Sequence, residues 1–330
     1  MAKLSPLASP AATRAVLEEY GLAAKKALGQ HFLISDGIVA RICAVADLSP
    51  ADVVLEVGPG IGTLTVALLQ KAGLVIAVER DADLMAVLAD TCAQHRERLA
   101  LINKDALGLT EADLWGAAAG ERPSGKAPAG RPSNAPRLPD KLVSNLPYAV
   151  AATLVLGLFQ RLPSLESATV MVQGEVADRM CAKPGTKAYG AYTVKLSLFA
   201  RPVERFAVGP GNFFPPPRVE SAVLRLDRHR PLDPAGRPLA PEAIEASCVM
   251  ADAAFANRRK TILNSCRSYF GLLEEKGAPL GKALPRLGQV LEEAGVDPRL
   301  RGEALEARDF IRLGQSLRAL FPLGPPRAPV

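Results

Sequence analysis

Val54-Leu55-Glu56-Val57-Gly58-Pro59-Gly60-Ile61-Gly62-Thr63 decides the fold. An apolar run empties into glycines at alternate positions, and helical spacing begins at once with Leu64, Ala67 and Leu68. Residues 51–57 therefore read as a buried strand and 63–71 as a helix, ending before Gly73 as its cap. Glycine at 58, 60 and 62 lets the backbone turn sharply and come close to a ligand. Residues 74–78 form the next strand and deliver Glu79 about twenty residues after the first glycine, where a carboxylate can accept both hydroxyls of a ribose. Two further strand-like runs end in polar residues: 99–103 leads to Asp105, and 141–143 leads to Ser144 and Asn145. In open parallel sheets, ligands sit beyond such carboxyl ends. The series predicts an α/β, Rossmann-like sheet with a pocket for an adenosine-containing cofactor. The nicotinamide fingerprint G-x-G-x-x-G is not met, because its third position is Thr63 and the extra glycine falls one residue early at Gly62. That spacing argues against a dehydrogenase.

Asn145-Leu146-Pro147-Tyr148 follows the fourth strand directly and joins a hydrogen-bonding amide, a proline that fixes backbone direction and an aromatic face. Together they suit a flat base that bears an amino group. Such an amine is a poor nucleophile, since its lone pair is delocalised into the ring. Hydrogen bonds accepted by the Asn145 carbonyl oxygen and a neighbouring main-chain carbonyl would favour the pyramidal nitrogen that attack requires, at about 1 kcal/mol net each. Tyr148 would hold the base by stacking, worth roughly 1–3 kcal/mol.

Composition narrows the class. The chain has 330 residues, 48% hydrophobic and 22% charged, which suits one large or two modest globular domains and excludes a disordered chain. Of the net charge of +6, residues 201–330 carry 20 Lys plus Arg against 15 Asp plus Glu, so the basic surface is expected there. Cysteines at 43, 92, 181, 248 and 266 contain no C-x-x-C, and histidines at 31, 95 and 229 have no metal-ligand spacing; reduced thiols and no metal are expected. Pro6 and Pro10 interrupt the start of the chain, and no apolar run reaches membrane-spanning length. A soluble, cytoplasmic, monomeric protein without a membrane partner is the expectation.

Along the chain, residues 1–24 read as an extension with a short helix, Pro10 in its first turn and Gly21 at its end. A cofactor domain spans 25–228. Within it, 116–137 is rich in Gly, Ala, Pro and Ser without apolar periodicity and is expected to be a mobile insertion loop. Residues 203–208 and 219–226 read as two strands bracketing a Phe213 loop and closing a seven-stranded sheet. A linker at 229–240 precedes helical patterns at 241–255, 258–270, 284–294 and 304–320, with a tail at 323–330. The domain at 241–322 is thus all-helical. On the 258–270 helix, Phe255, Ile262, Cys266 and Tyr269 share an inward face, which leaves Arg258, Arg259, Lys260 and Arg267 for solvent or phosphate.

The glycine turn, Glu79, Asp105 and Asn-Leu-Pro-Tyr resemble the amino-adenine methyltransferases that use S-adenosylmethionine. Three more segments narrow the likeness: Lys25-Lys26-Ala27-Leu28-Gly29-Gln30-His31-Phe32-Leu33, Phe213-Phe214-Pro215-Pro216-Pro217-Arg218-Val219-Glu220-Ser221-Ala222-Val223, and Phe255-Ala256-Asn257-Arg258-Arg259-Lys260-Thr261-Ile262-Leu263. The ordered set is similar to the bacterial small-subunit (16S) ribosomal RNA adenine dimethyltransferases, the KsgA/RsmA family. The resemblance implies that His31, where some relatives carry Asn, and Leu33 touch the cofactor. It further implies that Gly58 shapes the turn, Glu79 binds the ribose and Asp105 the cofactor adenine. Asn145 would then lie between cofactor and target amine, with Phe213 packed on the target base opposite Tyr148. It also implies a substrate of two adjacent adenosines near the 3′ end of 16S rRNA in the 30S particle. Two rivals share parts of the pattern: a large-subunit dimethyltransferase conferring antibiotic resistance, and a ribosome-assembly or RNA-binding factor whose catalysis is dispensable.

Overall fold

The computed structural model describes residues 3–25, 29–119, 137–233 and 235–321. By contacts the chain gathers into two compact units, Met1–Ala177 with Pro202–Arg228, and Asp178–Arg201 with His229–Val330. The stretch at 178–201, expected inside the cofactor domain, therefore groups with the helical part, and the first 24 residues group with the sheet.

Among the described residues nine strands are formed: β1 (Phe32–Leu33), β2 (Val53–Val57), β3 (Leu74–Glu79), β4 (Leu99–Asn103), β5 (Lys141–Asn145), β6 (Ser167–Gln173), β7 (Ala200–Val208), β8 (Phe213–Phe214) and β9 (Ser221–Arg228). Seven of them build one sheet in the order β4-β3-β2-β5-β6-β9-β7. The first five run parallel and β9 is antiparallel to β6. Strand order reverses between β2 and β5, so their carboxyl ends frame a crevice. β2 is buried along its whole length, as a central parallel strand covered on both faces must be. It starts at Val53 rather than at 51 because Ser49 and Asp52 close a turn: the Ser49 amide donates to the Asp52 carboxylate at 2.6 Å and the Asp52 amide to the Ser49 carbonyl at 3.1 Å.

The N-terminal helix Pro10–Glu19 forms as expected, with the Ser9 hydroxyl accepting from the Ala12 amide at 3.2 Å and Gly21 in the left-handed region at φ 63°. Its Leu17 is buried against Phe32, Ile61, Leu84 and Val87. β1 pairs antiparallel with β8, Phe32 opposite Phe214 and Leu33 opposite Phe213, a pairing that sequence patterning did not foresee. Of the span expected as an insertion loop, residues 116–119 instead close the helix Glu111–Ala119, whose Leu114 and Ala118 are buried; residues 120–136 lie outside the described residues, as does the 323–330 tail.

In the second unit, helices Pro241–Phe255, Ile262–Glu275, Leu287–Glu293 and Ala307–Leu320 enclose Met250, Ile262, Cys266, Phe270 and Phe310, all fully buried. Gly314 is required at one crossing, since a Cβ there would lie 2.4 Å from the Ser247 hydroxyl and 2.5 Å from its amide nitrogen. The helix expected from 258 begins only at Ile262. Residues 256–260 form a turn instead, with the Lys260 amide donating to the Asn257 carbonyl at 2.9 Å and Thr261 as the N-terminal cap position.

Candidate active site

A cavity of about 520 Å³ opens at the carboxyl ends of β2, β3 and β5 in the sheet unit, and in size and lining it is of the kind that holds a small molecule. The glycine turn forms one wall. Gly58, Gly60 and Gly62 adopt φ of 69°, 61° and 90°, values that a side chain would strain. Two of them are also hemmed in: a Cβ on Gly60 would touch the Phe32 ring at 3.2 Å, and one on Gly62 the Thr91 hydroxyl at 2.9 Å.

Glu79 ends β3 and is only 7% exposed. One carboxylate oxygen accepts from the Gly60 amide at 3.2 Å and the other from the Asp81 amide at 2.8 Å. The turn and the acid thus hold one another. Burial raises the Glu79 pKa above the usual carboxylate range, and these amide donors oppose that rise. Asp105 follows β4, accepts from the Leu107 amide at 3.0 Å and is half-exposed beside Arg80 at 3.5 Å.

Asn145 ends β5. Its Nδ2 donates to the His31 carbonyl at 3.2 Å, which leaves Oδ1 as the acceptor still to be used. The next residues are fixed from both sides: the Leu146 amide donates to the Met171 carbonyl at 3.1 Å, and the Tyr148 hydroxyl shares a 2.7 Å hydrogen bond with the Ser221 hydroxyl. His31 lies against Tyr148 with ring centroids 5.9 Å apart and planes 24° from parallel. Because a carbonyl only accepts, the 2.7 Å contact from His31 Nδ1 to the Pro215 oxygen places the proton on Nδ1.

The cavity brings together His31, Leu33, Gly58, Glu79, Asp105 and Asn145 to Tyr148. Phe213 is not among its walls. It is 2% exposed, paired through its backbone to Leu33 and packed with Val39, Val143 and Val223, so the partner across from the Tyr148 ring is His31. Its neighbour Phe214 is partly exposed, with the Arg14 guanidinium 5.3 Å from its ring centre. The alternation of a two-residue strand decides which of the pair faces inward.

Sequence reasoning missed several participants. Lys25 Nζ binds Asp81 and Asp83 at 2.6 Å each, and Gln30 Nε2 donates to Asp81 at 2.8 Å, so the segment entering the site is tied to the residues just after Glu79. Glu56 and Thr63 line the cavity too; Glu56 Oε2 and Thr63 Oγ1 are buried without a hydrogen-bond partner. Burial, with the Glu79 charge adding, pushes the Glu56 carboxyl up to about 8. Buried oxygens left without partners, beside a braced ribose-type acid, fit a cofactor that brings its own hydrogen-bonding groups. Glu56 sits in the quoted stretch in plain view, but nothing in a strand pattern announces that its carboxyl stays unpaired.

Comparison with known proteins places these features in a group. The sequence model of the family described as ribosomal RNA adenine dimethylase matches residues 21–274. The chain is 41% identical over 311 residues to the ribosomal RNA small subunit methyltransferase A of Rhodococcus erythropolis, covering 93% of this chain and 92% of the relative. It is 40% identical over 317 residues to the protein of that name from Thermobifida fusca, covering 94% and 96%. Among solved structures, a dimethyladenosine transferase from Plasmodium falciparum superposes with a TM-score of 0.65 at 24% identity, over 86% of this chain and 96% of that one. The 23S rRNA methyltransferase ErmE superposes with 0.56 at 25% identity, over 87% and 99%.

Proposed function

The chain belongs to the ribosomal RNA adenine dimethylase family, and from that premise we propose that it methylates the exocyclic N6 amine of two adjacent adenosines near the 3′ end of 16S rRNA. The substrate would be a hairpin loop within the 30S particle and the product a pair of dimethyladenosines. The chain is an S-adenosylmethionine-dependent rRNA adenine dimethyltransferase, acting in the cytoplasm as a monomer and contributing to small-subunit biogenesis. The sheet unit would serve as the methyltransferase domain, and the helical unit, which includes 241–322, as the part that holds RNA. The name shared by relatives at 36–41% identity over more than nine-tenths of this chain supports the small subunit over the large. No helix among the described residues is long and apolar enough to cross a membrane.

The observation that carries the reading is the meeting of a braced ribose-type acid, Glu79, with the Asn145 amide and the Tyr148 ring in one cavity at the reversal of strand order. S-adenosylmethionine supplies a methyl group on a positively charged sulfur. Glu79 would accept the ribose hydroxyls, and Asp105 the cofactor's adenine amine. Asn145, its Nδ2 already committed to His31, would accept a hydrogen bond from the target amine through Oδ1 and turn the nitrogen lone pair out of the ring. With the cofactor bound, the methyl group it supplies would pass to that lone pair, the carbon–sulfur electrons staying with sulfur and one amine proton going to solvent. Holding donor and acceptor in line can contribute several kcal/mol, up to roughly 7–11 in favourable cases. The target base leaves its stack at a cost of a few kcal/mol, less in a loop, and the Tyr148 face with the adjoining His31 ring would receive it.

The test is methyl incorporation into small ribosomal subunits from cells lacking this protein, with large-subunit RNA as a comparison. Incorporation that depends on Asn145, with cofactor binding retained in Asn145→Ala, supports the assignment. Full activity of that variant, or methylation of the large-subunit RNA alone, overturns it.

A further inference from the structure

The second unit contains a basic platform whose architecture gives one of the sequence-flagged arginines a different task. Three segments of that unit are hydrogen-bonded to one another: residues 183–188, 256–261 and 297–303. The Arg258 guanidinium is the hub. Nε donates to the Glu303 carboxylate at 2.8 Å, Nη1 to the Lys187 carbonyl at 2.7 Å and Nη2 to the Thr186 carbonyl at 3.0 Å. The Gly185 amide adds a 2.7 Å bond to the Glu303 carbonyl, and the Ile262 amide one of 2.7 Å to the Leu300 carbonyl. Arg258, read from sequence as available to phosphate, is therefore bonded to its own chain through all three guanidinium nitrogens.

Fixing these backbones gathers charge. The three segments carry Lys183, Lys187, Arg258, Arg259, Lys260, Arg299 and Arg301 against Asp297 and Glu303. Both acids are spent, Asp297 on Arg299 at 2.9 Å and Glu303 on Arg258. Lys183, Lys187, Arg259, Lys260 and Arg301 are exposed, and no ion pair ties them to another described residue. Exposed cations brought together without compensating acids repel one another, and a polyanion relieves that repulsion by displacing its own counterions. Five such side chains on three loops locked together by backbone hydrogen bonds make a rigid basic surface, in contrast to a run of flexible lysines.

We infer that this platform grips the phosphate backbone of structured RNA, with Lys183 and Lys187 as phosphate ligands beside Arg259, Lys260 and Arg301, and with Arg258 as a positioning residue that pins the lysine loop. The inference rests on the rRNA reading above and adds to it a loop, Lys183–Lys187, that no motif had marked. A planar guanidinium suits the pin because it reaches a carboxylate and two carbonyls at once, which an ammonium cannot do in that geometry.

The experiment measures binding of the full chain to undimethylated small ribosomal subunits across a salt series, for wild type, Lys183→Ala/Lys187→Ala, Arg258→Lys and the triple combination. Loss of two phosphate contacts lowers the slope of log affinity against log salt by roughly 1.4–1.8. Arg258→Lys keeps the charge, yet it is expected to weaken binding as much as the double lysine variant and to add nothing on top of it. An unchanged slope in the double lysine variant overturns the surface. Wild-type binding by Arg258→Lys, or additive losses in the triple variant, overturns the pin. Unaltered thermal midpoints and cofactor affinities show that the lysine variants are folded. If wild type neither binds nor methylates small subunits, the function itself has failed, an outcome distinct from the other two.

Discussion

The cavity at the sheet ends and the platform of the helical unit handle charge in opposite ways. In the cavity, two acids are buried: Glu79 is bound by the Gly60 and Asp81 amides, while Glu56 keeps one oxygen orphaned. On the platform, most cations stand in water, while the hub, Arg258, and Arg299 are satisfied by their own chain. Water decides the difference. A charge removed from it interacts strongly over a few ångströms, whereas exposed charges are screened within about 8–10 Å and act by number. Single changes in the cavity should therefore be large and insensitive to salt; single changes on the platform should be small, salt-dependent and additive except at the hub.

Asn145→Ala is the severest test of the first half of that contrast. Removing one hydrogen-bonding group that acts on the reacting centre lowers turnover by roughly 10²–10³-fold in comparable sites. Cofactor affinity, measured by calorimetry, should change little, since Nδ2 is engaged with the His31 carbonyl. A variant that keeps more than a tenth of wild-type turnover would place the chemistry elsewhere. Next in size is Glu79→Ala, which takes away a buried charged acceptor worth about 1.5–3 kcal/mol, equivalent to a roughly 10–150-fold weaker cofactor dissociation constant. Glu79→Ala should behave alike at low and high salt, because the group is only 7% exposed; strong salt dependence would mean that the site is open to water and that the contrast is false.

Glu56 sharpens the comparison through pH. Its carboxyl is held up to about 8 in the folded protein, against an ordinary value of 4.5. The native chain therefore keeps a proton that the unfolded chain releases once pH exceeds about 4.5, so stability falls as pH rises from there and levels off near 8. The slope per pH unit in that window is at most about 1.4 kcal/mol from this one group. Glu56→Gln, which cannot ionise, should flatten the thermal midpoint between pH 6 and 8 and be the more stable protein at pH 8. A variant whose midpoint keeps the wild-type slope would show that Glu56 is paired in solution.

The cavity was largely legible in the sequence because the features that build it are local. A glycine turn needs positive φ at fixed positions, and parallel strands deliver their last residues to one edge, so Glu79, Asp105 and Asn145 could be gathered without knowing any contact. What escaped was non-local. The pairing of β1 with β8, which buries Phe213 and sets His31 beside Tyr148, joins segments about 180 residues apart and leaves no periodic trace in either. The platform escaped for a related reason. Arg258, Arg259 and Lys260 look equivalent in sequence, and only the carbonyls of Thr186 and Lys187, together with the Glu303 carboxylate, single out the first as the anchor. Patterning also put a helix at 258, because Phe255, Ile262 and Cys266 keep helical spacing across a turn that interrupts it.

The smallest expected effect lies on the platform and tests the contrast most finely. Arg259 is exposed, takes no part in the hydrogen bonds of its neighbour and belongs to no ion pair with a described residue. Arg259→Ala should weaken binding to small subunits by a factor of a few near physiological salt and reduce the salt slope by roughly 0.7–0.9, the share of a single phosphate contact. Its loss should add to that of Lys183→Ala/Lys187→Ala, because separate exposed cations act independently when no shared partner couples them. Arg258→Lys, one position away and with its charge preserved, should nevertheless do more harm than Arg259→Ala. The reverse order, read from the same salt series, would mean that net charge alone governs this surface and that the bonds made by Arg258 are incidental to it.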